Sequence, residues 1–171
     1  MKGLAQQSIH EYLVALASAA PSPGGGAAVG VTAAQASALL AMAVQVTGPT
    51  VWGEAGTSLT NDLARARTRF IDLAEDDARA FDAVMAGYRL PKADPARATT
   101  LEHALKEASR VPLTAMRELA SLYPLAHKIL EHCKRHIVSD VGVAIRFADA
   151  ALAASAYTCL LYTSDAADDT P

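Results

Sequence analysis

From Tyr12 to Gly53 the chain carries no Asp, Glu, Lys or Arg. A charge-free run of that length folds in one of two ways, across a bilayer or as a helix buried on all sides within a bundle. Ala27 to Val46 is long enough to cross, but it is built from Ala, Gly, Ser and Thr with Gln35 and Gln45. Its bulky apolar side chains are few and no Lys/Arg cluster flanks it, so the buried helix fits better and no membrane partner is expected. The start, MKGLAQQSIHEY, has no apolar core before Glu11, so no secretory signal is expected and the cytoplasm is the default location.

Composition agrees. The 171 residues suit one domain, large enough to bury roughly 70% of its unfolded surface without a metal or disulfide. About a fifth of them are Ala and only 5% are aromatic, which favours close-packed helices and an all-α class. Cys133 and Cys159 are the only cysteines, without a CxxC, as in a reducing compartment. Fifteen Lys and Arg against eighteen Asp and Glu leave a net charge of -3, too acidic for electrostatic capture of nucleic acid.

Along the chain, Ser8-Ile9-His10-Glu11 reads as a capping box opening a helix from about Ile9 to Ala19, ended by Pro21-Ser22-Pro23. Gly24-Gly25-Gly26 opens the uncharged helix, which stops near Gly48-Pro49, and a Gly-rich connection leads towards Asn61. A third helix, about Thr60 to Gly87, sets Leu63, Phe70, Ala74, Asp77, Phe81, Val84 and Tyr88 on one heptad seam, with Arg65, Arg69, Asp72 and Arg79 opposite. Asp94-Pro95 restarts a helix as N-cap and N1. Pro112 and Pro124 predict kinks or new helix starts, and Ser139-Asp140 caps a last helix through Val143, Phe147 and Leu152. The sum is an up-and-down antiparallel bundle of about five or six helices.

Asp77 is the most informative residue, because a carboxylate on a seam loses hydration on burial, which raises its pKa and costs stability unless it is paired. It reads either as a general acid/base in a dry cleft or as a bundle-end Asp reaching solvent or a neighbouring Arg. The Pro-Ser-Pro-Gly-Gly-Gly run before a helix lets backbone N–H groups approach a polar ligand, or simply makes a tight turn; it is neither a P-loop nor GxGxxG. Lys92, beside Tyr88 after a helix-breaking Pro, either points into a cleft at that bundle end or is solvated. His127, His132, Cys133 and His136 crowd one stretch, but Lys134-Arg135 disfavours a cation there and no metal is expected.

Four stretches together resemble a known family in order and spacing. They are LASAAPSPGGGAAVGVTAAQASALLAMAVQVT, AEDDARAFDAVMAGYRLPK, EASRVPL and VSDVGVAIRFADAAL. The resemblance is to the cyclodeaminase/cyclohydrolase family, which comprises the C-terminal domain of formiminotransferase-cyclodeaminase and stand-alone relatives that include methenyltetrahydrofolate cyclohydrolase. It implies a helical bundle that forms a homodimer, binds a tetrahydrofolate derivative as substrate between helices, and uses no cofactor. It implies interconversion of one-carbon units bridging N5 and N10: hydrolysis of 5,10-methenyltetrahydrofolate to the 10-formyl form, or cyclisation of 5-formiminotetrahydrofolate with loss of ammonia. By the same resemblance Asp77 is the acid/base, Asp140 a second carboxylate and Lys92 an electrostatic contact. Ser22, Pro23, Gly24, Gly25 and Gly26 line the folate site, with Tyr88 and Ser139 as further contacts.

Departures from the family pattern are Ala27 where Ser follows the glycines, Cys133-Lys134-Arg135-His136 before VSD, and Pro124. CLLYTSDAADDTP, residues 159–171, resembles translated adapter read-through, so the domain is expected to span 1–158 with a non-native tail. The readings carried forward are a folate one-carbon enzyme, a folate-binding module without turnover, and a helical interaction protein.

Overall fold

The computed structural model describes residues 3–168, with side chains to Tyr162. Six α-helices make up the described chain: α1 Ile9–Leu16, α2 Gly25–Thr47, α3 Pro49–Trp52, α4 Glu54–Arg89, α5 Arg97–His132 and α6 Val138–Asp168. The expected all-α up-and-down bundle is what forms. α2 packs on α4 and α6, and α5 closes the bundle against the same two. The ends of α2 fix the antiparallel sense: Gly26 meets Asp77 on α4, and the backbone N–H of Lys134, just before α6, donates to Thr47 Oγ1 at 3.3 Å.

The uncharged segment lies in the middle. Ala33, Ala36, Ser37, Leu40 and Ala43 of α2 are fully or almost fully buried, packed with Leu63 and Phe70 of α4, Leu119 and Ile129 of α5 and Val141 of α6. Its hydroxyls stay satisfied inside the helix, Ser37 Oγ donating to Ala33 O at 3.2 Å and Thr47 Oγ1 to Ala43 O at 2.7 Å. α2 is thus long and apolar enough to cross a membrane, yet most of it is covered by protein. Gly30 sets the closest approach: a Cβ there would stand 2.5 Å from Phe70 O and 2.7 Å from Ala74 Cβ. Small residues let α2 and α4 pack at a separation a larger side chain would forbid.

Local signals fared unevenly. The Ser8 capping box forms with both of its hydrogen bonds. α1, however, ends at Leu16 rather than Ala19, and the expected Gly-rich connection is largely helix, because α4 already begins at Glu54 and runs through Gly56. α5 begins at Arg97, with Asp94 Oδ1 accepting from the N–H of Ala96 at 2.8 Å, so Asp94 and Pro95 make the turn before it. Neither Pro112 nor Pro124 breaks α5, whose 36 residues are held by an apolar stripe from Leu101 to Ile129. Packing along that stripe outweighs two lost backbone hydrogen bonds. Ser139 and Asp140 lie inside the first turn of α6, which a 3-10 turn over Arg135–Ile137 leads into, so Ser139 is not its N-cap. α6 runs without a break past Thr158 to Asp168; residues 169–171 of the expected tail lie outside the described residues.

Candidate active site

The Pro21-Ser22-Pro23 segment, whose Ser22–Pro23 bond is cis, leads into α2, which starts at Gly25 against the second half of α4. Gly24 is the N-cap and supplies no side-chain cap, so the first N–H groups of α2 carry the positive end of its dipole without side-chain compensation. Directly against this end lies Asp77. A Cβ on Gly26 would overlap all three atoms of the Asp77 carboxyl group. Glycine is what lets the helix start and the carboxylate share one place.

The seam places Asp77 there. Its apolar partners Leu63, Phe70, Ala74 and Val84 are buried and carry Asp77 inward with them, while Asp76 and Glu75 turn to Arg79 on the outer face. Asp77 makes no hydrogen bond or ion pair among the described residues, and burial raises its carboxyl pKa above the ordinary value.

A cavity of about 190 Å³ opens above it, lined by Pro21, Ser22, Gly24, Gly25, Gly26, Asp77, Ala78, Phe81, Thr158, Leu161 and Tyr162. A much smaller void beneath, lined by Gly26, Gly30, Leu73, Pro112, Ser155 and Thr158 among others, shares Asp77 as its wall. Tyr162, only 4% exposed, has its phenol pushed up to about 12, first by burial and then by the nearby Asp77 carboxylate. Among the described residues no Lys, Arg or His lines the cavity. Its electrostatics are those of one partly desolvated carboxyl group, weakly offset by a helix dipole, and such a group takes up a proton more readily than an ordinary carboxylate and favours a cationic partner. The volume admits the head group of a ligand rather than a whole extended one.

The structure therefore brings together Asp77, Ser22 and Gly24 to Gly26, with Pro23 in the same turn. It does not bring Lys92, Tyr88, Ser139 or Asp140 to them. Tyr88, towards the end of α4, is half-buried with the Arg97 guanidinium 5.9 Å from its ring centre, and Lys92 is exposed in the loop beyond. Asp140 lies 18 residues before Thr158 on the straight run of α6, roughly 27 Å at 1.5 Å per residue, and so at the opposite end of the bundle. Spacing in sequence had no means of revealing that separation. Phe81 and Thr158 line the cavity without having been anticipated; Phe81 was legible as the next seam position after Asp77, whereas Thr158 and Tyr162 had no such signal. Among the described residues no group of three or more His, Cys, Asp or Glu is arranged to hold a metal ion.

Comparison with known proteins places this geometry in context. The family model for formiminotransferase-cyclodeaminase matches residues 8–170. The chain is 36% identical over 158 residues to a methenyltetrahydrofolate cyclohydrolase of Methylorubrum extorquens, covering 88% of this chain and 76% of that protein. It is 27% identical over 177 residues to the formimidoyltransferase-cyclodeaminase of Mus musculus, covering 98% of this chain but only 32% of that longer protein. The fold superposes on the crystal structure of a formiminotetrahydrofolate cyclodeaminase from Thermotoga maritima with a TM-score of 0.86 at 27% identity, covering 96% of this chain and 82% of that one.

Proposed function

Because the chain belongs to the formiminotransferase-cyclodeaminase family, we propose that it is a folate one-carbon enzyme. It hydrolyses 5,10-methenyltetrahydrofolate to 10-formyltetrahydrofolate, or cyclises 5-formiminotetrahydrofolate with release of ammonia. The observation that carries the reading is the isolation of Asp77: one half-buried carboxyl group, without an ion pair among the described residues, in a cavity whose described lining residues include no basic side chain. Both reactions pass through a carbon held between two nitrogens, and the methenyl bridge is a cation. A carboxylate in a dry cleft is complementary to that charge, and the uncapped start of α2 offers N–H groups to an oxygen.

In the hydrolytic direction water adds to the bridge carbon, and Asp77 accepts one of its protons. The C–N5 bond of the resulting tetrahedral carbon then breaks, with N5 taking a proton from the Asp77 carboxyl group, and the second water proton leaves to solvent. The balance is one water consumed and one proton released. In the cyclising direction N10 adds to the carbon of the protonated formimino group (–CH=NH2+) and loses its proton to Asp77, which returns it to the departing NH2 so that ammonia leaves and the positive charge stays on the methenyl bridge. One group serves as base and then acid in either case, which a raised pKa favours. Lys92 and Asp140, outside the cavity, have no part in this proton relay, and Ser22 with the glycines holds the head group through backbone contacts.

The 36% identity to a cyclohydrolase, the higher of the two likenesses to named enzymes, favours hydrolysis. The reading includes a homodimer working in the cytoplasm, and no resident cofactor. Loss of the methenyl chromophore with added protein, compared with the Asp77→Asn variant and with an ammonia assay on the formimino substrate, tests it and decides between the two reactions.

A further inference from the structure

The Asp77 cavity has one wall that the core does not account for. On α4 the seam residues Phe70, Ala74, Val84 and Tyr88 each pack into an apolar cluster of the bundle. Phe81, on the same seam, is half-buried and among the described residues joins none of those clusters, nor does its ring meet another ring or a cation. It lines the cavity instead, one turn or about 6 Å along the helix from Asp77. Tyr162, the other ring on the cavity, differs: it is 4% exposed and belongs to the cluster of Val84, Leu101 and Leu105.

A large apolar side chain left half-covered beside a cavity completes its burial when a ligand sits on it. The faces of a phenyl ring carry partial negative charge, and Asp77 one turn away supplies a carboxylate, with no basic side chain among the described lining residues to oppose them. A flat organic cation satisfies both groups, its plane on the ring and its charge towards the carboxylate. A neutral amide of the same shape gains only the apolar part. We infer that Phe81 makes this site select the charged one-carbon group, its ring stacking on the flat cation while Asp77 moves the protons. The inference rests on the folate reading above and deepens it from a reaction to a selectivity. Phe81 transfers no proton, and in either direction the one-carbon group loses its charge as the tetrahedral carbon forms. Its contact is therefore made with the ground state, and removing it should raise KM rather than lower kcat.

The test is steady-state turnover of 5,10-methenyltetrahydrofolate and 5-formiminotetrahydrofolate by the full chain, in wild type, Phe81→Leu, Phe81→Met and Phe81→Tyr, with thermal denaturation to check folding. The neutral probe is 5-formyltetrahydrofolate, which carries its one carbon as an uncharged amide and is read as a competitive inhibitor. Leu and Met both remove the ring and keep apolar bulk, so either one suffices if the other fails to fold. The expected result is a rise of about three- to thirty-fold in KM for the charged substrate in the ring-free variants, with kcat and the inhibition constant of the neutral probe within about two-fold of wild type. Phe81→Tyr, which keeps the ring, should recover most of the loss. An unchanged KM, a loss carried by kcat, or a parallel rise in KM and the inhibition constant would each overturn the role of Phe81 and leave the folate enzyme standing. A folded wild type that turns over neither substrate would overturn the folate reading and the selectivity with it.

Discussion

The Asp77 carboxyl group fills the space that a Cβ on residue 26 would need, so the first turn of α2 and the carboxylate on α4 are fitted to one another atom against atom. Gly26→Ala must therefore push the carboxyl group aside or lift the start of α2. Displacements of about 1 Å at a reacting centre cost on the order of a hundred-fold in rate, and overpacking about 1–3 kcal/mol in stability. Gly142→Ala, on α6 outside the cavity lining, is the control: its Cβ would meet nothing within 4 Å. Turnover and denaturant midpoints of the two variants should differ accordingly; equal activity in both would mean that the contact is not part of the catalytic geometry.

Burial raises the Asp77 pKa above 3.8, and with the carboxylate form as base, kcat/KM should fall as the solution is acidified through that raised value. The acidic limb should vanish in Asp77→Asn. A profile flat down to pH 4 in the wild type would place the proton acceptor elsewhere.

The same shift has a consequence for stability. A group whose pKa is raised on folding contributes stability that is present below its unfolded value of 3.8 and is lost as pH rises through the folded value. At pH 7 the ionised Asp77 therefore weighs against the fold. Asp77→Asn should stabilise the protein there, with the difference closing as the pH falls towards 3.8 and below. A variant less stable at pH 7 would mean that the charged form has a stabilising partner.

Gly30→Ala introduces a Cβ 2.5 Å from Phe70 O and 2.7 Å from Ala74 Cβ, both on the buried face of α4. Backbone on one side and a fully packed helix on the other leave nowhere to move. The expected loss, roughly 1–3 kcal/mol or more, should appear in chemical denaturation as a lowered midpoint. A midpoint unchanged within error would mean that α2 and α4 are less tightly apposed than this.

Asp140 stands at the far end of α6, so Asp140→Asn should leave kcat/KM within about three-fold of wild type, whereas Asp77→Asn does not. Equal losses in the two variants would restore Asp140 as a second catalytic carboxylate.

Much of this was legible in the residues. The heptad seam turned Asp77 inward because Phe70, Ala74 and Val84 bury themselves and carry it along, and Ser8 with Glu11 set the start of α1. The absence of charge from Tyr12 to Gly53 gave α2 its central place. What local rules missed was decided by packing. Pro112 and Pro124 are tolerated because α5 is held over its whole length by α4 and α6, and Gly56 stays helical because Trp52 packs on it, leaving 2.7 Å to a would-be Cβ. The grouping of Asp140 with Asp77 rested on family motifs, which carry order along the chain but not the direction in which a helix runs.

The most direct test is the decay of the methenyl chromophore of 5,10-methenyltetrahydrofolate with purified wild type and Asp77→Asn side by side, their folding checked by thermal denaturation. Wild type should accelerate the decay, and Asp77→Asn should lose about a hundred-fold or more while remaining at least as stable, as expected for removal of a general acid/base. Turnover within a few-fold of wild type in a folded Asp77→Asn variant would contradict the assignment of Asp77 as the group that moves the proton.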